Sequence, residues 1–262
     1  LPGLSLPERA WGVVRRWALA WWRILYLGAV VCVLVLSPSS YGKVTRRALA
    51  RHLYLDTAPV LLGFTVLAAL ISLVLTRIVI VTAISYGLSR YALEMAIRVL
   101  VLELIPLTAA LFVAMRCTIP NGTQLALLRQ SGHLARLSNA GADPVRVELL
   151  PRAVAGVFAC ITLAALSCVV ALVLAYLGVY GFSLAGLPSY TRMFGHVFAP
   201  AVTLVFVMKT VLFSLAVALI PMAAGLYDTG ERTQPDSELG GLARMFAVLL
   251  LIEIGSLVGN YY

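Results

Sequence analysis

Apolar and polar positions fall in long blocks rather than in strict alternation. Five apolar segments, at residues 59–86, 92–121, 153–179, 197–226 and 242–262, are separated by short basic loops. A run of ~20 apolar residues rising ~1.5 Å each crosses a hydrocarbon core of ~30 Å. Strands of a membrane barrel would need alternating blocks of ~10 residues, which are absent. Main-chain polarity in lipid must be satisfied internally, which leaves continuous helices. The pattern predicts an all-α polytopic membrane protein with five transmembrane helices.

Residues 11–36 fit that scheme less simply. Trp11, Trp17, Trp21 and Trp22 share the first half with Arg15, Arg16 and Arg23, and a clean apolar run extends only from Ile24 to Leu36. Such a short run suits a helix lying in the membrane surface, with its tryptophans at headgroup depth. Basic clusters on both flanks favour one side of the membrane. The alternative, a sixth span, stays open. Residues 1–52 then form a basic, Trp-rich interfacial (elbow) helix and linker, and residues 53–262 the five-helix domain.

The connection at residues 123–152 carries the most local information. Leu125, Leu128, Leu134 and Leu137 recur at helical spacing, and Gly141 follows as a C′ residue. Asp143 before Pro144 reads as an N-cap with proline at the first helical position. A short helix, a tight break and a new helix leading through Pro151-Arg152 are expected. The loop at residues 227–241, with Asp228, Gly230, Pro235 and Asp236, reads as a hydrophilic turn, with Ser237 as the cap of the last helix.

Composition agrees: 61% of residues are hydrophobic and 12% charged, against roughly 25% charged in soluble domains. The net charge of +9 follows the loops rather than a nucleic-acid surface. Arg9, Arg15, Arg16, Arg23, Lys43, Arg46, Arg47 and Arg51 precede the first long span. Arg129, Arg136, Arg146 and Arg152 surround the second-to-third connection, and Arg232 and Arg244 the fourth-to-fifth. Arg90, Arg98 and Arg192 belong to the other two loops. By the positive-inside rule the basic loops and the N-terminus are cytoplasmic and Tyr262 lies on the outer side. No cleavable signal peptide is evident, since the first apolar run ends at Ser37-Pro38 without a small-residue cleavage site. Cys32, Cys117, Cys160 and Cys168 sit in apolar stretches without metal-ligand spacing and read as buried small hydrophobes.

Covalent chemistry has no foothold. There is no phosphate-cradling loop, no His-Glu-x-x-His and no Gly-x-Ser-x-Gly, and His52, His133 and His196 are scattered. Asn121-Gly-Thr123 matches a glycosylation pattern but sits at a membrane boundary and carries no weight. Five ionisable residues fall inside spans: Arg77, Glu103, Arg116, Lys209 and Glu253. Unpaired and central, each would cost ~2.5–3.5 kcal/mol. Glu103 and Arg116 are ~20 Å apart along one helix, so Glu103 must look to another, with Lys209 or Arg77 as candidates. One reading is structural pairing plus snorkelling of Arg77 and Arg116; the other is a polar cavity for an anionic headgroup. Ala68, Ser72 and Thr76 form a ladder of small residues on the first span, and Gly255 and Gly259 a second on the last, either of which lets helices approach closely.

At the second span and the loop after it the chain resembles the MlaE family of ABC-transporter permeases. The matching run is Glu103-Leu104-Ile105-Pro106, Ala114-Met115-Arg116, Leu128-Arg129, Asp143-Pro144-Val145-Arg146 and Pro151-Arg152. Arg51, Leu53 and Tyr54, Lys209 and Glu253 also look like the family. Departures are Ala68, Ser72 and Thr76 where glycines are usual, Ile78 for a glutamine, Gln124 for a glutamate, and Gly132-His133 for Glu-Gln. Cys117-Thr118-Ile119-Pro120 replaces small residues, and Pro120 should kink the helix.

The resemblance implies a dimer, with an identical copy or a paralogue, in a bacterial inner membrane. It implies a separate ABC ATPase subunit that holds ATP and magnesium, no cofactor in this chain, and a periplasmic MCE-domain carrier. Phospholipid or a similar hydrophobic lipid would be the cargo. Ala68, Ser72, Thr76, Arg77, Glu103, Arg116, Lys209 and Glu253 would line the lipid cavity. A coupling helix at about residues 123–143 would engage the ATPase, with residues 131–141 in its groove. Leu134 and Leu137 would supply the apolar contact, and Arg129, Gly141, Asp143, Pro144, Arg146 and Arg152 would set its attachment. A non-transporting membrane scaffold and an ion-coupled transporter are the competing readings; no internal repeat supports the latter.

Overall fold

The computed structural model describes residues 6–38, 42–87, 89–227 and 236–261. Every regular element among them is helical. Helix α1 is Leu6–Leu36 and α2 is Lys43–Ser85. The next rod runs from Ser89 to Gln130 as α3 (Ser89–Ile97), a π-helical stretch Arg98–Leu104, α4 (Ile105–Val113), a second π-helical stretch Ala114–Thr118, and α5 (Ile119–Gln130). Helix α6 (His133–Asn139) and a third π-helical stretch Val145–Leu149 lead into α7 (Leu150–Tyr180). A short 3-10 turn, Leu184–Gly186, precedes α8 (Leu187–Val197), α9 (Pro200–Tyr227) and α10 (Asp236–Tyr261).

Among the described residues, six helices are long and apolar enough to cross a membrane. Five are the expected spans. The sixth is Trp17–Leu36, so the count of five spans plus a surface helix is not exact. The apolar run from Ile24 does not stand alone: α1 is continuous through its tryptophans, and Arg23 is the one charge within those twenty residues. Leu27, Val31 and Leu34 are buried at helical spacing in a cluster with Leu219, Met222 and Ala223 of α9. Trp17, Trp22 and Leu36 remain exposed. Helix α2 runs unbroken across residues 52–53, and its 43 residues, ~64 Å, carry its basic first turns well beyond the apolar part.

Small side chains set the core. Ala109, Ala110 and Ala114 pack with Ala159, Cys160 and Ala164 of α7, Phe213 and Val217 of α9, and Met245 and Leu249 of α10. Close approach of this kind is the main source of association where lipid is as apolar as the helices. The tightest crossing is between α5 and α9, where a Cβ on Gly122 would lie 2.6 Å from the Pro221 carbonyl oxygen. Cys117, Cys160 and Cys168 are buried as expected, but Cys32 is exposed, on a face of α1 with no neighbour among the described residues.

Each π-helical stretch ends one residue before an X-Pro step: Ile105-Pro106, Ile119-Pro120 and Leu150-Pro151. Proline has no N–H to offer the carbonyl four residues back, and a widened turn is one way to accommodate that loss. Pro120 thus follows a π-helical turn. Helix α8 is an addition to the expected elements. Tyr190, Met193 and Phe198 face a buried cluster that includes Leu93, Ile97 and Ala171, and the Tyr190 hydroxyl donates to the Leu172 carbonyl at 2.8 Å.

Candidate functional site

Three segments meet at Lys209. Its side chain is 1% exposed although it carries an ammonium group in the membrane-spanning part of α9. The Nζ donates to Glu103 Oε2, lies 2.9 Å from Glu253 Oε2 of α10, and donates to the Leu102 carbonyl at 3.1 Å. That carbonyl is the one Pro106, four residues on, leaves without its α-helical donor. The same proline that widens the Arg98–Leu104 stretch therefore supplies the lysine with an acceptor. Asn260 Nδ2 donates to the other Glu103 oxygen at 3.4 Å, and the Phe213 ring lies 5.7 Å from the ammonium.

Burying an ammonium costs several kcal/mol unless partners surround it. Two carboxylates and a carbonyl do so here, leaving one acidic group in excess of the cation. Ser256 Oγ and Asn260 Oδ1, buried on the α10 side, find no partner among the described residues. The site thus has unused capacity for a polar group. Counting along α9, it lies nearer Pro200 than Tyr227, in the half of the bundle away from the basic end.

The residues expected to line one cavity fall in three places. Glu103, Lys209 and Glu253 come together as above. Ala68, Ser72 and Thr76 are buried: Ala68 joins the central cluster, Ser72 donates to the Ala68 carbonyl at 2.6 Å, and Thr76 abuts Gly178 of α7. They pack the chain against itself. Arg77 and Arg116 are exposed on the outside of the bundle, and neither reaches Lys209. Of the last-span glycines, Gly255 faces open space while Gly259 lies near Val205 of α9.

At the basic end, Ser131 and Gly132 break the helix with Gly132 at φ 72°, so the segment expected to couple holds the separate seven-residue α6 rather than one helix from residue 123. Helix α6 closes as expected at Gly141, φ 79°: the Ala142 N–H donates to the Leu137 carbonyl and the Gly141 N–H to Ser138, a Schellman pair. Asp143 Oδ1 accepts from the Val145 N–H at 3.0 Å, which makes it the cap ahead of Pro144. Arg146 pairs with Asp143 at 3.6 Å. Arg129 donates to the Leu226 carbonyl at 2.7 Å, and Arg23 to the Tyr227 carbonyl at 3.3 Å, so both arginines cap the end of α9. Leu137 is half-buried, and Leu134 packs partly on the chain's own core, leaving Ala135, Arg136, Ser138 and Asn139 as the exposed face of α6. Asn121 is buried and donates to Asp56 Oδ2 at 3.0 Å, with Cys117 Sγ 3.2 Å from the Asp56 carbonyl. The 227–241 turn and Tyr262 lie, in the main, outside the described residues; α10 begins at Asp236.

Residues 49–257 match the family model described as Permease MlaE. The chain belongs to the MlaE permease family. A search of curated proteins gave no match. As an MlaE-type permease it is a transmembrane subunit of an ABC transporter, and its multi-pass helical build is that of a membrane protein. The matched span includes every residue of the Lys209 site except Asn260, and all of α6 with its flanking turns.

Proposed function

We propose that this permease moves phospholipid, or a similarly hydrophobic lipid, between a bacterial inner membrane and a periplasmic MCE carrier. ATP hydrolysis on a separate ABC ATPase subunit drives the movement. The observation that carries this reading is α6: a short helix between two membrane rods, bounded by left-handed glycines, with Ala135, Arg136 and Ser138 turned outward. In an ABC permease such a helix is the natural handle for an ATPase. The Lys209 site, with its ammonium and unpartnered polar atoms inside an apolar bundle, suits a headgroup-bearing cargo. Gly255 in open space on α10 suits a second copy or paralogue completing the cavity. The basic end then faces the cytoplasm, and the Lys209 half faces the periplasm.

Purification of the complex from its native membrane is expected to bring down an ATPase whose turnover rises with added phospholipid. Arg136→Glu, on the outward face, should weaken that association and lower the stimulated turnover. A complex containing no ATPase, or one indifferent to lipid, would favour a membrane scaffold instead.

A further inference from the structure

We propose that Glu148 is the positioning residue that ties the coupling helix to the membrane rod α7. This deepens the transport reading above and rests on it. Both carboxylate oxygens of Glu148 are engaged, by different elements. Oε1 lies 3.7 Å from Nε2 of His133, the first residue of α6. Oε2 lies 2.7 Å from Nη1 of Arg152, which also donates to the Glu148 carbonyl at 3.1 Å. Arg152 is 7% exposed, so its end of the link is fixed in the protein interior.

The neighbouring residues make Glu148 a junction rather than one more loop charge. It sits in the Val145–Leu149 π-helical stretch, next to Leu149 and Leu150, which are buried. Leu134 of α6 packs on the cluster those two leucines belong to. Helix α6 is thus attached to the start of α7 through His133 and Leu134, at its first turn. Its other end is released by the Gly141 turn, and a new helix starts at Asp143. A force applied to the outward face of α6 reaches α7 through one apolar and one polar contact.

The polar contact is graded. At 3.7 Å the His133 end is beyond hydrogen-bond range, whereas the Arg152 end is short and buried. The link therefore opens on the α6 side first. Beyond Arg152 the connection continues to α2: Arg152 lies within electrostatic reach of His52 and Asp56, and Asp56 in turn holds Asn121 of α5. Displacing Glu148 is felt by three membrane rods.

The test uses the whole transporter, permease with its ATPase and carrier, in proteoliposomes containing nitrobenzoxadiazole-labelled phosphatidylethanolamine. The quantity read is lipid moved per ATP hydrolysed. Glu148→Gln should lower that ratio about tenfold, a typical size for coupling between sites. Glu148→Asp, which keeps the charge, should restore most of it. His133→Ala, at the partly exposed end, should lower the ratio in the same direction by less, and it keeps the test open if Glu148→Gln folds poorly. A ratio unchanged in both Glu148→Gln and His133→Ala, with lipid movement and ATP turnover falling together or not at all, would reduce Glu148 to a folding role. A wild-type complex that moves no labelled lipid would overturn the transport reading, and this inference with it.

Discussion

Two polar clusters sit at different levels of this molecule, and they are built in opposite ways. Around Lys209 every charged partner comes from a distant part of the chain: Glu103 is 106 residues away, and Glu253 lies on the last helix. At the basic end the pairs are mostly local, Asp143 with Arg146 and Glu148 with Arg152, and side chains there are up to 48% exposed. The first cluster exists only once three rods have packed, and lipid offers no substitute for a lost partner. The second forms turn by turn, and water can replace what is lost. The buried cluster fixes the relation between helices, while the other can yield without unfolding them.

Substitutions can break or sharpen this contrast. The largest effect is expected from Lys209→Met, which preserves length but leaves Glu103 and Glu253 facing each other without a cation. The loss should be about 3–5 kcal/mol in denaturant unfolding of the detergent-solubilised protein. Adding Glu103→Gln to that variant should recover part of it, because the two changes are coupled and not additive. A double variant costing the sum of the two single variants would mean that the cluster does not act as a unit. Arg152→Met is expected to cost less, about 1.5–3 kcal/mol, since Glu148 keeps His133 and some solvent. The smallest change should come from Asp143→Ala, about 1 kcal/mol for a helix cap, seen as faster amide exchange at Val145 and its neighbours. A larger loss at Asp143 than at Lys209 would invert the comparison.

The sequence disclosed these regions unevenly, for physical reasons. Gly141 and the Asp143-Pro144 pair were legible because turn and cap chemistry is local. Lys209 as a partner for Glu103 was legible because membrane burial of a charge demands compensation, and Arg116 is too far along the helix to provide it. Asn260 gave no signal, since an amide near a helix end carries no comparable penalty. Glu148 gave no signal either, being one acid in a basic loop. The ladder of Ala68, Ser72 and Thr76 announced close packing, but spacing alone cannot say whether the neighbour is α7 or another molecule. Helix α8 was missed because an eleven-residue amphipathic segment is short beside the apolar blocks on either side. Prolines 106, 120 and 151 each follow a π-helical turn, but distortion was expected only at Pro120, and there as a kink.

The crossing of α5 and α9 at Gly122 has a mechanical corollary. Main chain rests on main chain there, with no side chain between to change rotamer and absorb a shift. Rods touching in that way can pivot far more readily than they can slide or separate. Tilt of the rod that leads to α6 about that fulcrum would swing the rod's own far arm, the arm that bears Glu103, in the opposite direction.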